Sequence, residues 1–235
     1  MKRVGSVEAA RPEYHRAGGG STPTPALHKI VVRPVSHRVA RKVVEREHYL
    51  HSLPGGTHLV LGVFFGHRLM GVIALGAGPM NAHSIVDGAL PDDCLTLTRL
   101  WLSDELPQNS ESRVLGVVLR ALRRDTELKF LLTYADPGVG HVGTIYQATN
   151  WLYTGLSEAM PLYDIGDGRL HHSRSLGHVY GTHSLKHFAA HGIDVRLVPQ
   201  ARKHRYVYFL DPGWRDRLRL PVLPYPKKEA ADESN

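Results

Sequence analysis

Hydrophobic residues recur along this chain at two periods, and where the period changes the elements change. KIVVRPV at residues 29–35 reads as a first strand, and Ser36 then stands where an N-cap is wanted for a helix through HRVARKVVEREHYL. HLVLGVFFG and LMGVIALGAG predict two strands joined by a tight turn containing Gly66, and CLTLTRLWL at 94–102 predicts another strand. In PQNSESRVLGVVLRALRRDTE, Val114, Val117, Val118, Ala121 and Leu122 fall at i, i+3, i+4, i+7 and i+8, which is the period of a helix with one apolar face. KFLLTYA reads as a strand and is followed by the Gly-rich turn of DPGVGHVG. Beyond it a helix is expected over about residues 143–153, with Ile145, Ala148 and Leu152 on one stripe and Tyr146, Asn150 and Tyr153 on a second. HSLKHFAAHG predicts a short helix, and DVRLVP and RYVYFL predict late strands. Strand, helix, three strands, helix, strand, helix and further strands make a mixed α/β fold with antiparallel pairs near the front. The pattern fades at both ends. Residues 1–27 and 221–235 are expected to be unstructured, with the folded domain at 28–220.

Against this pattern a few polar residues stand out. Along CLTLTRLWL, simple alternation puts Arg99 on a face with Leu95, Leu97 and Trp101, and a half-buried guanidinium needs a partner. Asp136, at the end of the next strand, is the expected one. Asp136 and Tyr146 flank a Gly-rich loop at a strand-to-helix junction, a common ligand position in α/β sheets, and Asn150, Trp151 and Tyr153 would add aromatic and polar lining there. Asn109, Ser110, Ser112 and Arg113 cluster at the start of the helix expected to begin near Ser110, where unpaired backbone N–H groups suit a phosphate, although Ser110 could equally be a simple N-cap. His183, His187 and His191 are spaced four apart, but Gly192 ends the helix at the last of them, and no metal is expected.

Composition narrows the class. The chain of 235 residues carries 29 Lys and Arg against 22 Asp and Glu, a formal charge of +7, which suits a polyanionic partner such as nucleic acid. Arg202, Lys203 and Arg205 concentrate that charge near the last strand and are candidate substrate contacts. A single cysteine, Cys94, excludes an intrachain disulfide and any multi-cysteine zinc site. No membrane association is expected, because no apolar run has the length of a span and the first twenty residues have no signal-peptide core, so the expected location is the cytoplasm.

EREHYLHSLP, LTRLWLSDELPQNSESR, TYADPGVGHVGTIYQATNWLYTG and KHRYVYFL together resemble the Mom family of phage DNA-modification proteins, over about residues 28–211. The resemblance implies an acetyltransferase-like (GNAT) sheet flanked by helices. It implies an enzyme that adds a methylcarbamoyl group to the N6 amine of adenine in double-stranded DNA and protects that DNA from restriction. Functional positions carried over are Arg99, Asp136, Tyr146 and the His48–Tyr49 pair, with Ser110 and Ser112 beside the cofactor helix. In that fold the turn from Gln108 to Arg113 receives the pyrophosphate of a donor such as acetyl-CoA or another acyl carrier, yet LPQNSESRV lacks the usual glycine-rich pattern. Asp136 is then the base or base-orienting acid, Tyr146 a proton donor, and Tyr146, Trp151 and Tyr153 an aromatic pocket for an extruded base. Two other activities fit the same residues: an N-acyltransferase acting on a small amine or a protein, and a basic DNA-binding protein with no catalysis.

Overall fold

The computed structural model describes residues 29–227, which form two compact units. Expectations for residues 1–27 and for 228–235 lie outside the described residues. One unit takes 29–134, 143–155 and 205–225; the other takes 135–142, 156–204 and the residues after 225.

The first unit holds a seven-stranded sheet. Its elements in chain order are β1 (Ile30–Pro34), α1 (His37–Glu47), β2 (Thr57–Phe65), β3 (Arg68–Gly76), β4 (Cys94–Leu102), α2 (Ser110–Asp125), β5 (Phe130–Ala135), α3 (Thr144–Gln147) and β6 (Leu152–Leu156). After the elements of the second unit the chain returns as β10 (His204–Phe209), and the strand order is β1-β2-β3-β4-β5-β10-β6. The first four strands pair antiparallel and β4 pairs parallel with β5, so the mixed α/β reading agrees with the architecture. β2 and β3 meet across a two-residue turn, Phe65 opposite Arg68, in which Gly66 takes the left-handed φ of 61° that favours glycine.

Helices cover both faces, as the alternation of β2 requires. Ser36 caps α1 by accepting from the Val39 N–H, and α1 buries Ala40 and Val44 against Val60, Val72 and Ala74. The neighbours of Val60, Leu59 and Leu61, point to the other side of the sheet. There, with Val32, they line an apolar groove closed by Val117, Val118, Ala121 and Leu122 of α2. Val114, Val118 and Leu122 of the stripe read in the sequence are buried, Val117 and Ala121 are half-buried along the groove, and Leu115 and Leu119 are buried beside them, which turns the packed face toward those two leucines.

The 143–153 helix is shorter than its pattern suggests. α3 ends after Gln147, where the Asn150 N–H donates to the Gln147 carbonyl and the Trp151 N–H to the Tyr146 carbonyl, with Asn150 left-handed at φ 62°. That pair of bonds is a Schellman stop with asparagine in the glycine position. Tyr153 therefore lies on β6 and not on a helical stripe with Tyr146. The segment after Leu220, expected as part of an unstructured tail, is held along β6: Leu223 N–H donates to the Tyr153 carbonyl and the Tyr225 hydroxyl to the Trp151 carbonyl at 2.9 Å.

The second unit has its own small antiparallel sheet, in the order β8 (Leu170–His171), β7 (Leu162–Asp164), β9 (Arg196–Val198). Two helices accompany it, α4 (Ser173–Tyr180) and α5 (Leu185–Ala190), burying Leu176 and Phe188. No helix among the described residues is long and apolar enough to cross a membrane.

Candidate active site

The site begins with an irregularity in β4. Ala74 of β3 faces Arg99 while Leu75 faces Leu97, so Thr98 is an extra residue on the β4 side. Such a bulge breaks the alternation that would give Leu97 and Arg99 one face, and it re-aims the arginine. At the same point the ladder to β5, which runs from Cys94–Phe130 to Leu97–Thr133, comes to its end, although β4 continues to Leu102. Beyond Leu97 the pairing of β4 with β5 stops.

Arg99 secures the loop that follows α1. Its Nε donates to the Ser52 carbonyl at 2.7 Å, one terminal nitrogen to the Thr98 carbonyl at 2.6 Å and the other to the Ser52 hydroxyl. Burial pushes the guanidinium pKa down from its ordinary value, and the neighbouring Tyr49 acts in the opposite direction. The expected pairing with Asp136 gives way to these bonds, because the bulge points Arg99 toward Ser52. The tethered loop carries the candidate pair itself. His48 is buried and caps α1, its Nδ1 accepting from the Leu50 N–H at 3.1 Å, and its ring stacks on Tyr49 with centroids 4.5 Å apart. Tyr49 is exposed, and His51 after it holds a left-handed φ of 45°.

Tyr146 is a buried phenol of the same unit, as are Tyr153 and Tyr206. Desolvation pushes its pKa up to about 12, against a hydrogen bond with Thr133, and the charges of Tyr49 and Glu111 reach it as well. Thr133 donates its own hydroxyl proton to the Leu97 carbonyl at 3.2 Å. Tyr146 thus stands at the last rung of the β4–β5 ladder. Its ring packs 5.4 Å from Trp151 and 5.5 Å from Tyr206, and Tyr153 packs 5.2 Å from Tyr206. Trp151 is fully buried, with an indole N–H that has no hydrogen-bond partner; Asn150 is exposed at the stop of α3.

The start of α2 is open in a specific way. Asn109 is the N-cap residue but makes no side-chain cap bond, and it holds φ 66°, the left-handed turn for which a glycine would ordinarily be used. Ser110 is the first helical residue and not the cap. Its hydroxyl donates to the Pro107 carbonyl, and that of Ser112 to the Asn109 carbonyl at 3.1 Å, while Arg113 closes the first turn through its N–H on the Asn109 carbonyl. The Ser110 N–H also donates to the Pro107 carbonyl, so the N–H groups of Glu111 and Ser112 and the positive end of the helix dipole are what remain to meet an anion, with Glu111 as the one acidic side chain of that turn.

In the second unit Asp136 is buried, with one carboxylate oxygen accepting from the Gly138 N–H at 2.9 Å and the other 3.1 Å from the Lys203 ammonium. Lys203 is therefore an internal partner and not a free surface cation. Its neighbours are engaged too. Arg202 Nε donates to the Ser157 carbonyl, and in the first unit Arg205 donates to both the hydroxyl and the carbonyl of Thr154 at 3.0 Å. His187 and His191 stack with ring centroids 4.2 Å apart, and among the described residues no three His, Cys, Asp or Glu side chains gather as a metal site.

The sequence reading passed over Thr133, Ser52, Glu111 and Tyr206. Thr133 could have been singled out as the polar residue in the apolar run KFLLTYA, and Tyr206 by its alternation with Tyr208 in RYVYF. Ser52 offers no such signal, since its role comes from the Thr98 bulge.

Comparison with known proteins places these residues in a lineage. Among solved structures, the Salmonella typhimurium protein yncA, solved with its cofactor acetyl-CoA, superposes with a TM-score of 0.43 at 10% identity, covering 78% of this chain and 95% of that one. An N-acetyltransferase from Staphylococcus aureus Mu50 gives a TM-score of 0.43 at 12% identity, covering 77% and 97%. In sequence the chain is 29% identical over 208 residues to the methylcarbamoylase mom of Escherichia phage Mu, covering 83% of each protein. Residues 29–227 match the Mom protein family, a span holding every candidate residue described above, and the chain belongs to that family.

Proposed function

We propose that this protein is a transferase that modifies the N6 amine of adenine in double-stranded DNA, adding a methylcarbamoyl-type group. Such a mark would shield the DNA of a phage from restriction in the cytoplasm of its host. The observation that carries the reading is that, inside one unit, Arg99 bonds to Ser52 and so ties β4 to the loop that carries the stacked His48–Tyr49 pair, while Tyr146 lies buried in that same unit. Family membership and a relative named methylcarbamoylase support it.

The chemistry asks for an oriented amine and a place for its proton. Adenine N6 is a weak nucleophile because its lone pair is shared with the ring, so holding it at the acceptor carbon is the main task. The exposed Tyr49 ring, fixed on His48 and held by the Arg99–Ser52 tether, is suited to stacking on an extruded base. Tyr146, with its pKa at about 12, stays protonated at neutral pH. It therefore donates a hydrogen bond to an oxygen or to a leaving atom and does not act as a base. Asp136 is assigned the proton that N6 loses as the new C–N bond forms, with Lys203 balancing its charge. An acyl donor of the coenzyme A kind would supply the activated carbon, its C–S bond breaking as the C–N bond forms so that the thiol leaves; for a methylcarbamoyl product its acyl group must already carry the methylamino nitrogen, which an acetyl thioester lacks. The first turn of α2, with Asn109, Ser110, Ser112 and Arg113, would hold its phosphates. Asn109 gives by its left-handed turn what the missing glycines would give.

Mass spectrometry of nucleosides from cells making the protein tests the assignment. The wild-type chain should convert deoxyadenosine to a heavier N6-substituted product. Tyr146→Phe and Asp136→Asn should each keep DNA binding and lower product formation on the order of a hundredfold or more. Unmodified deoxyadenosine with soluble wild-type protein and an intact donor pathway would sink the proposal.

A further inference from the structure

Of the charge that the sequence concentrates near the last strand, Lys203 is ion-paired with Asp136, while Arg202 and Arg205 donate to neutral oxygens of Ser157 and Thr154. α1 presents a different row. Arg38, Arg41 and Lys42 are exposed, on the side of the helix away from the buried Ala40 and Val44, and none of them takes part in an ion pair among the described residues. Arg46 one turn on is exposed as well and is bonded to the adjacent Glu47. The helix itself rewards this pattern only at Glu45, which stands at i+4 from Arg41 and i+3 from Lys42. Arg38 lies in the first turn, at the positive end of the helix dipole, where no acidic residue is present. Lys42 has like charges at i−4 and i+4, a spacing that disfavours the isolated helix. A surface helix that collects cations against its own local preference is suited to an external anion.

The direction of the row decides which anion. α1 runs into its cap at His48, and the next residue is the exposed Tyr49, whose charge is felt at Arg99 and at Tyr146. We propose that Arg38, Arg41 and Lys42 form a seat for the phosphate backbone of duplex DNA that delivers the target base to Tyr49. This rests on the DNA-modification reading and extends it to a surface that reading does not require. Arg38 and Lys42 are about 6 Å apart along the helix axis. A DNA strand carries a phosphate about every 3.4 Å of its own axis, so the row spans two to three phosphates. Contacts of this kind hold the duplex in register and carry no base information.

Fluorescence anisotropy of the full chain with a labelled duplex over a series of salt concentrations reads the contacts directly. Replacing the row together (Arg38→Gln, Arg41→Gln, Lys42→Gln) should weaken binding and reduce the slope of log affinity against log salt by about two to three, near 0.9 for each phosphate no longer neutralised. Glu45→Lys, which adds a cation to the same face, should steepen the slope by about one, an effect that misfolding cannot imitate. An unchanged slope in the folded triple variant would overturn the seat. So would an unchanged slope in Glu45→Lys should the triple variant not fold, or a loss of binding to phosphatidylserine vesicles with duplex binding intact. Nucleoside mass spectrometry separates the failures. If the wild type modifies adenine while the triple variant keeps its slope, only the seat is lost. If the wild type binds duplex through the row but leaves adenine unmodified, only the activity is lost.

Discussion

Thr98 has no opposite number in β3, and that one inserted residue turns Arg99 off the face of Leu97 and toward Ser52. The guanidinium then ties two carbonyls and a hydroxyl together with fixed geometry, bridging β4 and the loop of His48 and Tyr49. Its part is to position, and a lysine cannot copy it, because an ammonium lacks the planar fork. Arg99→Lys should therefore leave the melting temperature within a few degrees, lower turnover about tenfold to a hundredfold, and raise the KM for DNA, since Tyr49 loses its tether. Equal activity with lysine would mean that the charge alone matters at this position. Arg99 was legible in the sequence as a residue out of place, but its partner was not. Register shifts leave no mark in a hydrophobic pattern, and a pairing inferred from alternation fails where the alternation breaks.

At the scale of elements the sequence was most readable where burial repeats at one period. β4 spans the run read for it, and α2 begins at Ser110, where its start was expected. The 143–153 segment was misread for the opposite reason: Tyr146, Asn150 and Tyr153 fit a helical stripe, but the left-handed Asn150 stops α3 and sends the chain into β6. The aromatics nevertheless meet, through Tyr206 of β10, which touches both Tyr146 and Tyr153. Gly143 makes this possible. It holds φ 83°, and a Cβ there would come 2.5 Å from the Tyr206 ring. Gly143→Ala should destabilise the protein by on the order of 2 kcal/mol through backbone strain and the displaced ring. It should also reduce modification more than Gly140→Ala, a left-handed glycine with open space around its Cα. Comparable melting temperatures for the two alanine variants would show that the Tyr206 ring yields without cost.

Over the whole molecule the buried titrating groups divide the pH scale. Burial pushes Tyr146 up to about 12 and the Cys94 thiol up to about 11, and it raises Tyr134, Tyr153 and Tyr206 above the ordinary phenol value. For each of these the folded protein keeps a proton that the unfolded chain gives up earlier. Their contribution is complete below the unfolded pKa, near 9.0 for the thiol and 10.0 for the phenols, and is lost as pH rises through the folded values. His204 has the reverse sign, since burial lowers its pKa from 6.5 and the unfolded chain binds the proton first. Its contribution is present above 6.5 and falls away on acidification, where the lowered Asp164 and Asp167 carboxylates act in the same direction. The urea midpoint should therefore hold level from about pH 7 to pH 9 and decline on both sides, steeply above pH 10. Tyr146→Phe isolates one phenol, because it removes the titrating hydroxyl and keeps the ring against Trp151 and Tyr206. The alkaline decline between about pH 10 and pH 12 should be shallower in that variant than in the wild type. Cys94 reports on the same transition by its chemistry, as an alkylating reagent at pH 8 should label it only as fast as the protein opens. Rapid labelling of the folded protein, or an alkaline limb that Tyr146→Phe leaves unchanged, would mean that these groups are hydrated and that their burial contributes nothing to the stability of the site.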